Sequence, residues 1–260
     1  HLATRAKGIS VMTTPSEVFA AIVGAEYVVS AGQPAFDERY FIDPYAFHPG
    51  FTFTPPGAVQ PGSTSEVQEI VRAANEHNIG LWVVSRGRNL GYGAGMPRSA
   101  TDWVLDLSRL DRIISVDLQL GIAVIEPGVS FFALYEHLRA MNAPFWASVP
   151  DISHGSVVAN ALERGFGYSA HGEHGRFLCG LEVVTPEGDV FRTGMAADSD
   201  SRSAFAYKGG IGPDILGLFQ QSNLGIVTQA GVWLFPRPET AAAILVHVPE
   251  PSDLGALVDT

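Results

Sequence analysis

Cysteine is all but absent: Cys179 stands alone, so no disulfide can form within the chain. That fits a reducing compartment, and the cytoplasm is the expected location, with the periplasm or a peroxisome as alternatives. Positive charge is scarce too. Sixteen Lys and Arg face 27 Asp and Glu, a formal net charge of −11. A surface of that sign repels phosphate backbones, so nucleic acid is not an expected partner. Any anionic ligand must be held by local donors that overcome this background. No apolar run is long enough to span a bilayer, so no membrane partner is expected either. The first ten residues do not read as a signal peptide, because Arg5 and Lys7 interrupt the apolar stretch one needs.

What is present is a globular composition. Hydrophobic residues make up 46% of 260, and 28 Gly with 17 Pro signal many turns, so one large domain or two small ones is expected. Ser16 to Ala25 suits a short helix, whereas residues 36–56, rich in Pro and aromatics, show no period. From Gly57 to Pro61 a short strand is expected. Ser63 and Glu66 then form a capping-box signature ahead of Val67, Ile70, Val71 and Ala74 at helical spacing. Gly80 ends that helix, Leu81 to Val84 reads as a buried strand, and the unit predicts a parallel crossover.

Further strands are expected at Trp103 to Leu107, Arg112 to Asp117 and Ile122 to Glu126. Ser130 is placed to cap a helix with Phe131, Leu134, Tyr135 and Leu138 inward; Ser156 caps another that Gly165 ends. Leu181 to Thr185 and Asp189 to Thr193 flank a Pro-Glu-Gly turn, a hairpin signal. Gly225 to Phe235 is a long strand, Ala243 to Val248 another, and Ser252 caps a helix that has barely begun at Thr260. The mixture predicts an α+β fold and reads as part of a longer or cleaved protein.

Gly91-Tyr92-Gly93-Ala94-Gly95 looks like a dinucleotide fingerprint, but that fingerprint needs a helix directly after the glycines. Met96-Pro97-Arg98-Ser99 leaves no room for one. The loop still follows a buried strand, carries Arg86, Arg88 and Asn89 as donors, and has glycines that free backbone N–H groups for an anion nest. On these residues alone, an ordinary tight loop and a phosphate-binding loop are equally open.

Ser85-Arg86-Gly87-Arg88-Asn89-Leu90-Gly91-Tyr92-Gly93 resembles the pyrophosphate loop of the vanillyl-alcohol oxidase and para-cresol methylhydroxylase flavoprotein family. Further blocks match in the same order: Val149-Pro150-Asp151 with Gly155-Ser156, Asn160 with Glu163 to Tyr168, Gly172-Glu173-His174, Arg192 to Met195, and Gln221 to Thr228. The resemblance covers roughly residues 57–240. It implies a two-subdomain FAD-binding fold with mixed parallel and antiparallel strands and flanking helices. It implies domains at 1–56 (an N-terminal segment), 57–240 (FAD binding) and 241–260 (the start of a substrate domain).

The activity implied is oxidation of para-substituted phenols, by hydride transfer from the benzylic carbon to the flavin through a quinone methide. Asp151 would lie beside the flavin, Tyr92 would bind the phenolate oxygen, and Tyr168 would stand near flavin and substrate. Cofactor contacts would come from the 85–91 loop, Pro150, Asp151, Gly155, Ser156, Asn160, Gly165 and Tyr168, with Gly225, Ile226 and Val227 at the adenine end, where a strand edge offers pairing groups. The remaining phenolate ligands and any covalent flavin attachment would come from the C-terminal half of the enzyme. A homo-oligomer is expected, and the electron acceptor is open between oxygen and a cytochrome c. Two alternatives stand beside this reading: an FAD oxidoreductase of the same fold acting on a sugar or hydroxy acid, and a non-catalytic module that keeps the fold.

The histidines read more plainly. His171 and His174 lie three apart with no further ligand pattern, which is polar packing rather than a metal site. His154 stands where family members often carry glycine, and His48 lies in the aperiodic stretch. Cys179 sits in an apolar strand and packs there.

Overall fold

The computed structural model describes residues 13–33, 54–89, 95–198 and 201–259. Two sheets organise them. The first begins with α1 (Pro15–Val23), entered through a capping box in which Thr14 and Glu17 satisfy each other's free groups. Strands β1 (Val28–Ser30) and β2 (Gly57–Val59) pair antiparallel, and α2 (Thr64–His77), β3 (Leu81–Val84) and β4 (Trp103–Asp106) complete the unit. The sheet order is β1-β2-β4-β3, with β2 and β3 both parallel to β4. The expected parallel crossover is thus present, with β4 inserted between its two strands. Ser63 caps α2 as its sequence predicts, but the Glu66 carboxylate accepts from the Gly62 N–H rather than closing the box on Ser63.

The apolar faces of α1 and α2 bury Phe19, Val67 and Ile70 against Val59, Trp103 and Leu105. A Cβ on Gly57 would lie 2.6 Å from the Trp103 ring, so this strand can cross the indole only where the side chain is missing. Strand β4 stops one residue before the sequence suggests. The Asp106 carboxylate accepts from the Ser108 N–H and turns the chain into a short 3-10 turn.

The second sheet is antiparallel. Strands β5 (Ile113–Asp117) and β6 (Ile122–Ile125) precede α3 (Phe131–Ala140), the short β7 (Phe145–Trp146) and α4 (Val157–Leu162). Then come β8 (Leu178–Val184), β9 (Val190–Arg192), β10 (Ile226–Trp233) and β11 (Phe235–Pro236), the last paired with β7. The order β5-β6-β10-β8-β9 puts the two longest strands at the centre. Ile125, Leu134, Leu178 and Leu181 are fully buried between this sheet and the helices. Truncating any one of them to Ala would cost about 2–5 kcal/mol.

Several expectations are corrected. Tyr135 faces solvent rather than the core, because Phe131, Leu134 and Leu138 already fill the inner face of α3. Helix α4 ends at Leu162 with Glu163 as its cap, before Gly165, and Arg164 takes the left-handed conformation. Ala243 to Val248 forms no strand: among the described residues it pairs with no other segment, and Ile244 and Leu245 are 83% and 97% exposed. Ser252 lies inside a 3-10 turn, and α5 (Leu254–Val258) follows it with Asp253 at its cap position.

A polar joint ties the two sheets together. Glu182 on β8, 2% exposed, accepts from Arg192 at 2.6 and 3.0 Å, from Thr64 on α2 at 3.0 Å and from Thr228 on β10 at 2.9 Å. Beside it, α2 reaches the turn between β8 and β9. Gln68 and Arg72 both donate to the Gly188 carbonyl at 2.7 Å, and Asn75 donates to the Pro186 carbonyl at 2.7 Å.

Candidate functional site: the glycine-rich loop and the Asp151 loop

The loop after β3 and the loop before α4 meet at one edge. The second of these is laced to the start of α3. Ser130 and Ser156 form a bridge, and Phe131, Phe132 and Val157 donate to the Gly155, Ser153 and Val129 carbonyls. Ser156 accepts from the Ala159 N–H as a helix cap, and its hydroxyl donates to the Pro127 carbonyl. Its buried position has two functions at once, which explains why a short polar side chain is required there. Arg86 crosses to this laced pair: its Nε donates to the His154 carbonyl and its Nη1 to the Gly128 carbonyl, both at 2.8 Å.

Gly87 is buried and left-handed, with φ of +60°. Such a residue directs successive N–H groups to one side, the geometry of an anion nest. Among the described residues, no carbonyl takes the backbone N–H of Gly87, Arg88 or Asn89. The Arg88 and Asn89 side chains are exposed. Leu90, Gly91 and Tyr92 lie outside the described residues, as does His48.

Asp151 presents its carboxylate in solvent, and the Tyr168 hydroxyl donates to it at 3.3 Å. Phe166 packs edge-on to Tyr168, and the two are 64% and 77% exposed. Val149 and Ile152 are exposed beside Asp151 in the chain. A carboxylate and a phenol flanked by uncovered apolar side chains are suited to a flat, partly polar ring system.

Beneath this surface His174 organises the backbone. It is 4% exposed; its Nδ1 meets the Asn160 side-chain oxygen and its Nε2 meets the Ser148 hydroxyl. Burial pushes its pKa below the usual value. A Cβ on Gly167 would lie 2.7 Å from His174 Nε2 and 2.8 Å from the Val149 carbonyl, so the 165–168 turn fits only as glycine there. Asn160 therefore orients His174 from within α4. On Gly165 a Cβ would overlap the Asn160 side chain, which fixes that glycine too. His174 is thus packed among polar groups, and beyond what its sequence predicts it also anchors Ser148 and Asn160. The signal was its place in the Gly172-Glu173-His174 block. His171 instead stacks on Phe235.

Gly225, Ile226 and Val227 lead into β10, an interior strand rather than an edge. Ile226 and Val227 pair with β8, but the ladder to β6 starts only at Ala230, so the other side of this end is outside a ladder. The preceding Gln221 donates to the Leu162 and Glu163 carbonyls, docking this segment on the end of α4. No hydrogen bond among the described residues joins Gly225 to Val227 with the Asp151–Tyr168 pair.

The family model for an FAD binding domain matches residues 55–194, more than half of the chain. The chain belongs to this FAD-binding family. Within it the chain is similar in kind to the FAD-binding part of the p-cresol methylhydroxylase type. It is 38% identical to the 4-cresol dehydrogenase [hydroxylating] flavoprotein subunit of Pseudomonas putida, over 79% of this chain and 40% of that protein. The 4-ethylphenol oxidase of Gulosibacter chungangensis superposes with a TM-score of 0.83 at 37% identity, over 91% of this chain and 45% of that one. A p-cresol methylhydroxylase superposes at 0.82 with 34% identity, over 90% and 45%. The two-subdomain fold with mixed strands is thus the one its sequence predicts. The chain spans about 40% of the length of that Pseudomonas putida relative.

FAD is the cofactor of this family, and the residues fit it. The open N–H groups of Gly87 to Asn89 and the exposed Arg88 suit a pyrophosphate in an otherwise acidic chain. The exposed Phe166, Tyr168 and Ile152 suit an isoalloxazine ring. Among the described residues no helix is long and apolar enough to cross a membrane.

Proposed function

We propose that this chain is the FAD-binding half of an oxidoreductase that oxidises para-substituted phenols at the benzylic carbon. The observation that carries this is the Tyr168–Asp151 pair on an exposed aromatic edge, in a chain 38% identical to a 4-cresol dehydrogenase subunit. Bound FAD supplies a two-electron hydride acceptor. Loss of hydride from a 4-alkylphenolate, with the C–H electron pair, leaves a neutral quinone methide. Water adding at the methide carbon must then give up a proton. Asp151 is the proposed acceptor of that proton; its hydrogen bond from the Tyr168 hydroxyl, which leaves its other carboxylate oxygen for this role, supports the reading. Tyr92 is the proposed partner of the phenolate oxygen, which keeps the ring electron-rich.

On this reading residues 241–260 begin the substrate domain, and the exposed Ile244 and Leu245 meet its remainder. The net charge of −11 suits a basic cytochrome as electron acceptor. Stopped-flow reoxidation tests that part: fast reaction with oxygen overturns it. The substrate reading is tested by adding 4-ethylphenol anaerobically to the full-length holoenzyme. Bleaching of the flavin absorption band is expected. Bleaching by glycolate or a sugar, with none by 4-ethylphenol, overturns it.

A further inference from the structure

We infer that Arg86 is a positioning strut for the Asp151 loop and not a phosphate ligand, an inference that rests on the FAD reading above and deepens it. Arg86 lies in the glycine-rich loop, where a cation is expected to meet the pyrophosphate. Its guanidinium is turned to protein instead. Nε and Nη1 donate at 2.8 Å to the carbonyls of His154 and Gly128, residues 68 and 42 positions away in the chain. The Nε side of the fork, which a bidentate phosphate would use, is taken by a carbonyl.

Both acceptors are held rigidly. A Cβ on Gly128 would lie 2.6 Å from the Leu110 and Ser108 carbonyls, so its backbone is pinned from behind. His154 is in the turn closed by the Gly155 N–H on the Ile152 carbonyl, three residues after Asp151. Its neighbours Ser153 and Gly155 are laced to α3. Arg86 therefore links three segments: the loop facing the pyrophosphate, the start of α3 and the turn that presents Asp151. The cofactor loop and the carboxylate are set at a fixed relative position by one planar group. Lysine keeps the charge, but its three donors sit on one freely rotating nitrogen and lack the fixed planar fork that spans both carbonyls.

The charge and the geometry are separated by Arg86→Lys and Arg86→Ala in the full-length protein. Three quantities are measured: hydrogen exchange over 150–157, the salt dependence of the FAD dissociation constant, and anaerobic flavin reduction by 4-ethylphenol. For a strut, both variants exchange about tenfold faster over 150–157 than the wild type. Both keep the wild-type salt dependence, and both slow reduction per bound flavin by a similar factor. Wild-type protection in Arg86→Lys overturns the inference. So does a salt dependence that flattens in Arg86→Ala but not in Arg86→Lys, the signature of a lost phosphate contact. If the wild-type flavin is not reduced by 4-ethylphenol at all, the substrate reading fails, and exchange with salt dependence still decides the strut.

Discussion

Replacing Glu182 with Gln preserves the shape of the joint between the two sheets and removes its charge. The carboxylate is 2% exposed and takes four hydrogen bonds, two from Arg192 on one oxygen and one each from Thr64 and Thr228 on the other. In Glu182→Gln the amide carbonyl can still serve the two threonines. Its NH2 then faces the Arg192 donors, and both charge-assisted bonds are lost. The Arg192 side chain is 38% exposed, so water can take up part of the deficit. That places the cost at about 2–4 kcal/mol, near the lower end for breaking a buried pair. In a domain of this size the melting temperature should fall by roughly 5–15 °C. Differential scanning calorimetry on the full-length protein reads it directly. Because the variant has already lost the pair, Glu182→Gln/Arg192→Gln should be no less stable than Glu182→Gln alone. A fall of less than about 1 °C, or additive losses in the double variant, would refute the account of the joint.

Asp151→Asn and Asp151→Ala should each slow flavin reduction by a 4-alkylphenol by about 10²-fold or more while FAD affinity holds, and reduction at the wild-type rate would make Asp151 a turn residue only. The His174 imidazole ordinarily takes a proton near pH 6.5, and burial holds its folded pKa lower. Below pH 6.5 the unfolded chain therefore binds more protons than the fold, so stability is complete above that value and falls as the pH drops toward the folded pKa. His174→Gln should be less stable than the wild type at pH 7.5, and its melting temperature should change less between pH 7.5 and 5.5; an equal change in both proteins rejects this. Burial also pushes the Cys179 thiol up to about 12. The native protein at pH 8 should thus resist a thiol reagent that labels the unfolded chain at Cys179, and fast native labelling counts against it.

The elements that were legible in the sequence are those defined by local chemistry. Ser63, Ser130 and Ser156 all cap the helices their spacing announces, because a cap needs only a side chain and the N–H groups two or three residues on. The hairpin at Pro186 to Gly188 is equally local. Ala243 to Val248 has a strand's pattern, but a ladder depends on a second segment that the pattern cannot supply. The site was legible as ordered blocks rather than as geometry. Asp151 and Tyr168 were singled out separately, and only the fold brings the hydroxyl to the carboxylate. Arg86 shows the limit most clearly. An arginine in a glycine-rich loop implies an anion, yet its donors turn to carbonyls whose positions depend on tertiary packing.

Helix α2 grips the β8–β9 turn by its main chain, through Gln68, Arg72 and Asn75 on the Gly188 and Pro186 carbonyls. Such a grip registers the length of the turn, with one side-chain contact added where Arg72 meets the Asp189 carboxylate at 3.4 Å. Glu187 is exposed and open to exchange, whereas Gly188 is fixed twice: its backbone is left-handed, φ +83°, and a Cβ there would lie 2.7 Å from the Arg72 side chain. A single inserted residue, by contrast, would carry both carbonyls out of reach and leave the Glu182 joint to tie the two sheets without them. For anyone placing a label or an affinity tag in this protein, the turn is therefore a poor site although Pro186 and Glu187 are exposed: it tolerates a change of spelling at Glu187 but no added letters.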